Sequence, residues 1–166
     1  MLILVIVLVS VIGFFLLIYG LHFLSYSVLK NRILRKQKWE ANICCGKTDG
    51  GGVNVDIVKH SHVPCFVLVG EVYNLPFKDR QFSSIISSHT IEHLDDPQAF
   101  YQELKRISEK VTIVIPPLWD ILGAFAFLEH KHLFLSFKKE HHRLPPCIKL
   151  PFSSFIQKKF GQKIKA

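Results

Sequence analysis

Apolar residues in this chain first run almost unbroken, then alternate with polar ones, then recur at helical spacing, and each change of period marks a different element. Leu2 to Leu24 is interrupted only by Ser10, Gly13, Tyr19, Gly20 and His22. As a helix rising about 1.5 Å per residue this run reaches about 34 Å, enough to cross a hydrocarbon core of about 30 Å. A cleaved signal peptide fits poorly. No basic residue precedes the run, the run is too long, and no small-x-small cleavage site follows. The pattern predicts one uncleaved transmembrane helix within residues 1–29.

Alternation begins at Lys38, with Trp39, Ala41 and Ile43 set against Lys38, Glu40 and Asn42. That period of two suits a strand with one face buried. A glycine-bearing turn follows, from Cys45 to Gly52, and then two β-branched runs, Val53 to Val58 and Phe66 to Val69, that read as strands. Asn74 to Arg80 is a turn, with Pro76 blocking regular structure.

The clearest signal lies between Phe82 and Ile115. Phe82 to Ser87 is an apolar strand that ends in a small polar turn. A helix over 97–109 follows: Asp95 or Asp96 can cap it, Pro97 suits its first position, and Phe100, Leu104 and Ile107 form one stripe. Val111 to Ile115 is the next strand. Strand, helix and strand in this order predict parallel strands joined by a right-handed crossover. Ligands in such sheets sit beyond the carboxyl ends of the strands, which puts Ser87, Ser88, His89, Glu92 and His93 at the expected working edge.

Past Pro117 the periods blur. Trp119 to Leu128 reads as a short apolar helix lying on a membrane or against the sheet, Lys131 to Lys139 contains a strand-like run, and Ser153 to Phe160 reads as a final helix. The pattern therefore divides the chain into an anchor (1–29), a basic juxtamembrane linker (30–38) and an α/β domain (39–166) that is irregular from 118.

Charge sharpens the membrane reading. The chain carries 21 Lys and Arg against 13 Asp and Glu, a net +8. Lys30, Arg32, Arg35, Lys36 and Lys38 form one basic segment, and Lys158, Lys159, Lys163 and Lys165 another, neither with an acid. Removing those nine from 21 leaves 12 basic residues against 13 acidic ones, so the excess belongs to two short segments suited to anionic lipid headgroups. Basic residues after the apolar run and none before it predict a single-pass protein with its C-terminal domain in the cytoplasm. No basic motif interleaved with aromatics supports a nucleic-acid partner, and none is expected. Cys44, Cys45, Cys65 and Cys147 show no disulfide spacing and read as reduced thiols.

Residues 71–116 also carry a resemblance. They contain Asn74-Leu75-Pro76-Phe77, the strand start Phe82-Ser83, the turn Ser87 to Leu94 spelling S-x-H-x-x-E-H-L, the pair Glu103 and Arg106, and a strand ending in Ile115-Pro116. In order and spacing this resembles the class I S-adenosylmethionine-dependent methyltransferases of the small-molecule "type 11" kind. The resemblance implies a Rossmann-like, mostly parallel sheet in the order 3-2-1-4-5, here with a reduced C-terminal part, and S-adenosylmethionine as cofactor. It also implies methyl transfer to a small or lipid-like acceptor.

By that resemblance the first turn, acid-x-Gly-x-Gly in the family, is Asn42-Ile43-Cys44-Cys45-Gly46. Asn42, Cys44 and Gly46 would lie against the cofactor, though only Gly46 matches fully. Asn42 lacks the charge that attracts the cofactor's cationic end, and Cys44 adds bulk. Asp56, ending the second strand, matches the ribose-binding acid. Glu71, after the third strand, matches the acid near the adenine amine, or is a solvated loop charge. Ser88 would contact the cofactor and, with His89, face the acceptor. His89 is the candidate for orienting or deprotonating a substrate, since an ordinary imidazole titrates near pH 6.5. Glu92 and His93 either line this mouth or only hold the turn and cap the helix.

His89 to His93 also spells H-x-x-E-H, the inverted zinc-protease motif. That chemistry needs both histidines on one helical face and a third protein ligand. The helix signalled by the sequence starts only at Pro97, and no downstream acidic helix supplies the ligand, so no metal is expected. His130, His132, His141 and His142 cluster near Cys147 but match no zinc spacing. A basic aromatic surface, with Phe125, Phe127, Phe134 and Phe137 dipping into the interface, is the plainer reading. The departures at Asn42 and Cys44, and the short link between the first two strands, leave a rival: a catalytically inactive membrane protein that keeps the fold as a binding or scaffold module.

Overall fold

The computed structural model describes residues 1–60, 62–151, 153, 155 and 159. Helix α1 (Leu2–Phe23) continues without a break through a π-helical segment (Leu24–Leu29) into α2 (Lys30–Leu34). None of the α1 residues is buried. The 33-residue helix is long and apolar enough to cross a membrane by length and composition. The basic segment is thus not a linker throughout: its first half is helical, and Ile33 and Leu34 are buried with Trp39, Ile86 and Val114. Trp39 Nε1 donates to the Leu34 carbonyl at 3.0 Å, satisfying an orphaned acceptor at the helix end.

The expected sheet is present. Strands β1 (Ala41–Ile43), β2 (Val53–Asp56), β3 (Phe66–Leu68), β4 (Phe82–Ser88) and β5 (Ser108–Val114) are all parallel, in the order 3-2-1-4-5. A two-residue strand, Glu140–His141, adds antiparallel to β5 at the edge. Order reverses between β1 and β4, where Ile43 lies level with Ser87, so the topological switch point falls there. The Trp39 and Glu40 carbonyls crowd the place where a Gly52 Cβ would sit, so a side chain there would collide with the backbone entering β1.

Helix α3 (Pro97–Ile107) crosses from β4 to β5. Of the two candidate caps the structure uses Asp96, whose Oδ1 accepts from the Ala99 N–H at 2.9 Å. Phe100, Leu104 and Ile107 are fully buried against Ile43, Ile85 and Ile113. Glu103 and Arg106 face the turn before β4. Glu103 accepts from the Leu75 N–H at 2.6 Å, and Arg106 donates to the carbonyls of Leu75 and Phe77 at 2.9 and 2.8 Å. Arg106 also bonds both Glu103 oxygens. The Glu-x-x-Arg pair is a clamp that pins the Asn-Leu-Pro-Phe turn to the helix.

Beyond β5 the chain is less regular. The expected helix over 119–128 is only α4 (Ile121–Ala124), packed against α1. The strand-like run contributes His132–Phe134, which pairs antiparallel with Cys147–Lys149 in a separate two-stranded sheet. Phe134 is buried in the main core rather than offered to an interface, whereas Phe125, Phe127 and Phe137 are exposed. The final helix expected over 153–160 falls largely outside the described residues.

Candidate active site

The carboxyl ends of the strands bring Gly46, Asp56, Ser88 and His89 to one rim, while Glu71 stands exposed in the loop after β3. At the first turn Gly46 has φ +54° and open space where a Cβ would project, a backbone that a ligand can approach closely. Cys44 holds φ +55°, a left-handed conformation costly for a residue with a Cβ. Asp56 closes the turn: Oδ2 accepts from the Gly46 N–H at 2.8 Å and Oδ1 from the Val58 N–H at 3.1 Å. Asn42 donates to the Thr48 carbonyl at 3.0 Å and to Asn54 Oδ1 at 3.3 Å. Burial and the Asp56 carboxylate push the Cys44 thiol up and hold that of Cys45 at about 12. Both stay protonated and are not nucleophiles.

The other half of the rim is the turn after β4. His89 has φ +54° and its N–H donates to the Val114 carbonyl at 2.8 Å, which fixes the turn to β5. A single 3₁₀ turn, Ile91–His93, follows, so His89 and His93 do not share a helical face. Lys139, 7% exposed, donates from Nζ to His89 Nε2 at 2.7 Å and to Ser25 Oγ at 2.9 Å. With Nε2 accepting, the imidazole proton sits on Nδ1, facing Glu92 Oε1 at 3.3 Å. Burial, opposed by the Glu92 contact and aided by Lys139 and Lys30, lowers the His89 pKa. Burial also brings Lys139 down to about 8. Burial alone would raise Glu92, yet the imidazoles of His89, His93 and His130 hold it at about 2.

The end of the N-terminal helix covers this half. Tyr26 meets the His89 ring edge-on at 5.2 Å, stacks on His22 at 5.8 Å, and lies under Lys30 Nζ at 4.4 Å. His22 Nδ1 donates to Asp120 Oδ1 at 2.9 Å, and the same oxygen caps α4 by accepting from the Gly123 N–H at 2.9 Å. Ser25, Tyr26, Asp120 and Lys139 are the residues that sequence reasoning missed. Lys139 is indistinguishable from Lys138 in the sequence, and only the polar Ser25 and Ser27 at the end of the apolar run hinted that this helix face meets protein. A cleft of about 400 Å³ lies elsewhere, beside the starting half of β5 and Glu140, lined by Lys36, Trp39 and Lys110 among others.

Residues 47–115 match the family model described as a methyltransferase domain. By that match this stretch is similar to the class I S-adenosylmethionine-dependent methyltransferases. It takes in Asp56, Glu71, Ser88 and His89, and starts just after Asn42, Cys44 and Gly46. An uncharacterized methyltransferase of Schizosaccharomyces pombe (strain 972 / ATCC 24843) is 33% identical over 69 residues, 41% of this chain and 25% of the relative. The match thus spans about a quarter of that relative's length. A solved S-adenosylmethionine-dependent methyltransferase from Aquifex aeolicus aligns over 58% of this chain and 70% of its own, with 17% identity and a TM-score of 0.39. S-adenosylmethionine is the cofactor of this methyltransferase type. The residues at the switch point fit such a group. Asn42 Oδ1, Ser87 Oγ and Ser88 Oγ are buried without a hydrogen-bond partner among the described residues, and at Gly46 the space where a Cβ would project is open.

Proposed function

We propose that this chain is a membrane-anchored S-adenosylmethionine-dependent methyltransferase whose acceptor is a small or lipid-like molecule reached at the cytoplasmic membrane face. The observation that carries this reading is the contact of Ser25 and Tyr26, at the inner end of the apolar helix, with Lys139 and His89 on the rim. An acceptor leaving the bilayer beside this helix meets the rim directly. When bound, the cofactor supplies a methyl already activated by its sulfonium, so the protein's part is alignment and exclusion of water. Gly46 with Asn42 and Cys44 would hold the amino-acid end and Ser88 would add a polar contact, while Asp56, with lone pairs left after bonding Gly46 and Val58, would take the ribose hydroxyls. Glu71 would face the adenine. His89 would orient the acceptor and take its proton at Nε2 once Lys139 releases that nitrogen. N-terminal helix and basic segments would bind anionic lipid.

The competing reading, an inactive binding or scaffold module, draws on one specific observation: Asp56 and the Nε2 of His89 already have partners within the protein. Calorimetry of the full chain in detergent with S-adenosylmethionine separates the two. Saturable heat below about 1 mM supports the enzyme, and no heat at that concentration, a binding free energy weaker than about −4 kcal/mol, supports the scaffold. Transfer of labelled methyl into a lipid extract, against a water-soluble metabolite extract, then identifies the acceptor class.

A further inference from the structure

The sequence offers H-x-x-E-H without a third ligand, and the fold supplies one from elsewhere. Glu92, His93 and His130 each present a donor atom, and the three atoms lie within 4.8 Å of one another. We propose that these side chains bind a single zinc-type transition-metal ion that ties the turn after β4 to the segment after α4.

Glu92 is 1% exposed, and neither of its carboxylate oxygens has a hydrogen-bond partner among the described residues. A buried carboxylate in that condition needs a compensating cation. His89 Nδ1 approaches Oε1 at 3.3 Å, and it leaves Oε2 unserved. His93 Nδ1 donates to the Glu129 carbonyl at 2.9 Å, which leaves Nε2 unprotonated and free to ligate, the outer-sphere arrangement that commonly orients metal-binding imidazoles. His130 is 5% exposed, with Nε2 4.0 Å from Glu92 Oε1 and its ring edge-on to His93 at 4.8 Å. The backbone holds the two segments together independently, through the Lys131 N–H donating to the Glu92 carbonyl at 2.8 Å. Two imidazoles and one carboxylate suit Zn²⁺ or its neighbours rather than Mg²⁺ or Ca²⁺, which take oxygen ligands. Ligand distances of about 2.0–2.1 Å put tetrahedral donors about 3.3 Å apart, so closure needs side-chain shifts of roughly an ångström. His93, only half-buried, is the one with room to move. A fourth position stays open for water.

The test uses the full chain in detergent, stripped with a chelator and titrated with ZnCl₂. One equivalent of zinc retained through desalting, and a rise in melting temperature of the wild type on adding Zn²⁺, are expected. His93→Asn and His130→Asn should each weaken binding by more than about 100-fold, the upper end of what losing an outer-shell partner costs. His141→Asn should bind as wild type. Sub-stoichiometric zinc with no thermal shift in the wild type overturns the proposal, and so does unchanged affinity in both ligand variants. The wild-type thermal shift keeps the test decisive even where a variant fails to fold. Calorimetry with S-adenosylmethionine is a separate readout, so the metal result stands whichever way methyl transfer turns out.

Discussion

Around the first turn, Asp56 accepts from Gly46 and Val58 while Asn42 donates to Thr48 and Asn54, so the loop between β1 and β2 is largely held by its own bonds. Around the turn after β4, Ser87 and Glu92 are buried and the Ser88 hydroxyl is enclosed, all with polar atoms left unmatched, and Lys139 is drawn inside to meet His89. Asn42 Oδ1 apart, the first half spends its polar groups on shape, because a nine-residue link with no crossover helix has little else to stabilise it. The second half rests on β4, β5 and α3 and tolerates unsatisfied groups. Reactivity is expected where folding has left hydrogen-bonding capacity unspent.

Both halves share one floor, and the largest expected effect removes it. Phe100→Ala, at a position with no exposure, should cost about 3–5 kcal/mol in denaturant unfolding of the full chain. A loss under about 1 kcal/mol would mean that α3 does not support the rim. Lys139 sharpens the second half alone. Burial lowers its pKa from 10.5 to about 8, so between those values the unfolded chain binds more protons than the folded one. Stability should therefore rise with pH across that window, by on the order of 3 kcal/mol at most. Lys139→Met should flatten this rise in melting temperature against pH, and an unaltered slope would remove Lys139 as its source.

Asp56→Ala probes the first half. Two backbone N–H groups lose their acceptor, at about 1–3 kcal/mol, and S-adenosylmethionine affinity should fall by about tenfold or more without unfolding. Unchanged affinity by calorimetry takes Asp56 out of the cofactor site and leaves it a purely structural residue. The smallest effect is a gain. Cys44→Gly relieves a left-handed residue and should stabilise the chain by up to about 1 kcal/mol, against some loss of side-chain packing. Net destabilisation in the same denaturant titration would show that packing outweighs the strain.

Local patterns were legible where short-range physics decides them. The Pro97 start and the Phe100, Leu104, Ile107 stripe announce α3, and alternation through Trp39, Ala41 and Ile43 announces β1. Five parallel strands in the order 3-2-1-4-5 followed from them and from the resemblance. The role of Glu103 and Arg106 was not readable, since only the fold shows them gripping Leu75 and Phe77. Basic residues at 30–36 masked the continuation of the helix, because Ile33 and Leu34 alone carry its buried side. His130 lies 37 positions after His93 in the numbering, and no local period encodes their meeting. Phe134, similar in sequence to its exposed neighbours, is buried because its strand pairs with Cys147–Lys149.

The unbroken passage from α1 through the π-helical segment into α2 has a mechanical result. Ile33, Leu34 and Trp39 fasten the last turn to Ile86 and Val114, so the rod and the sheet turn as one body. With the apolar run spanning a bilayer, as proposed above, a mismatch in thickness could not be absorbed at a flexible joint. It would tip the sheet itself, and with it the height of the rim that holds His89.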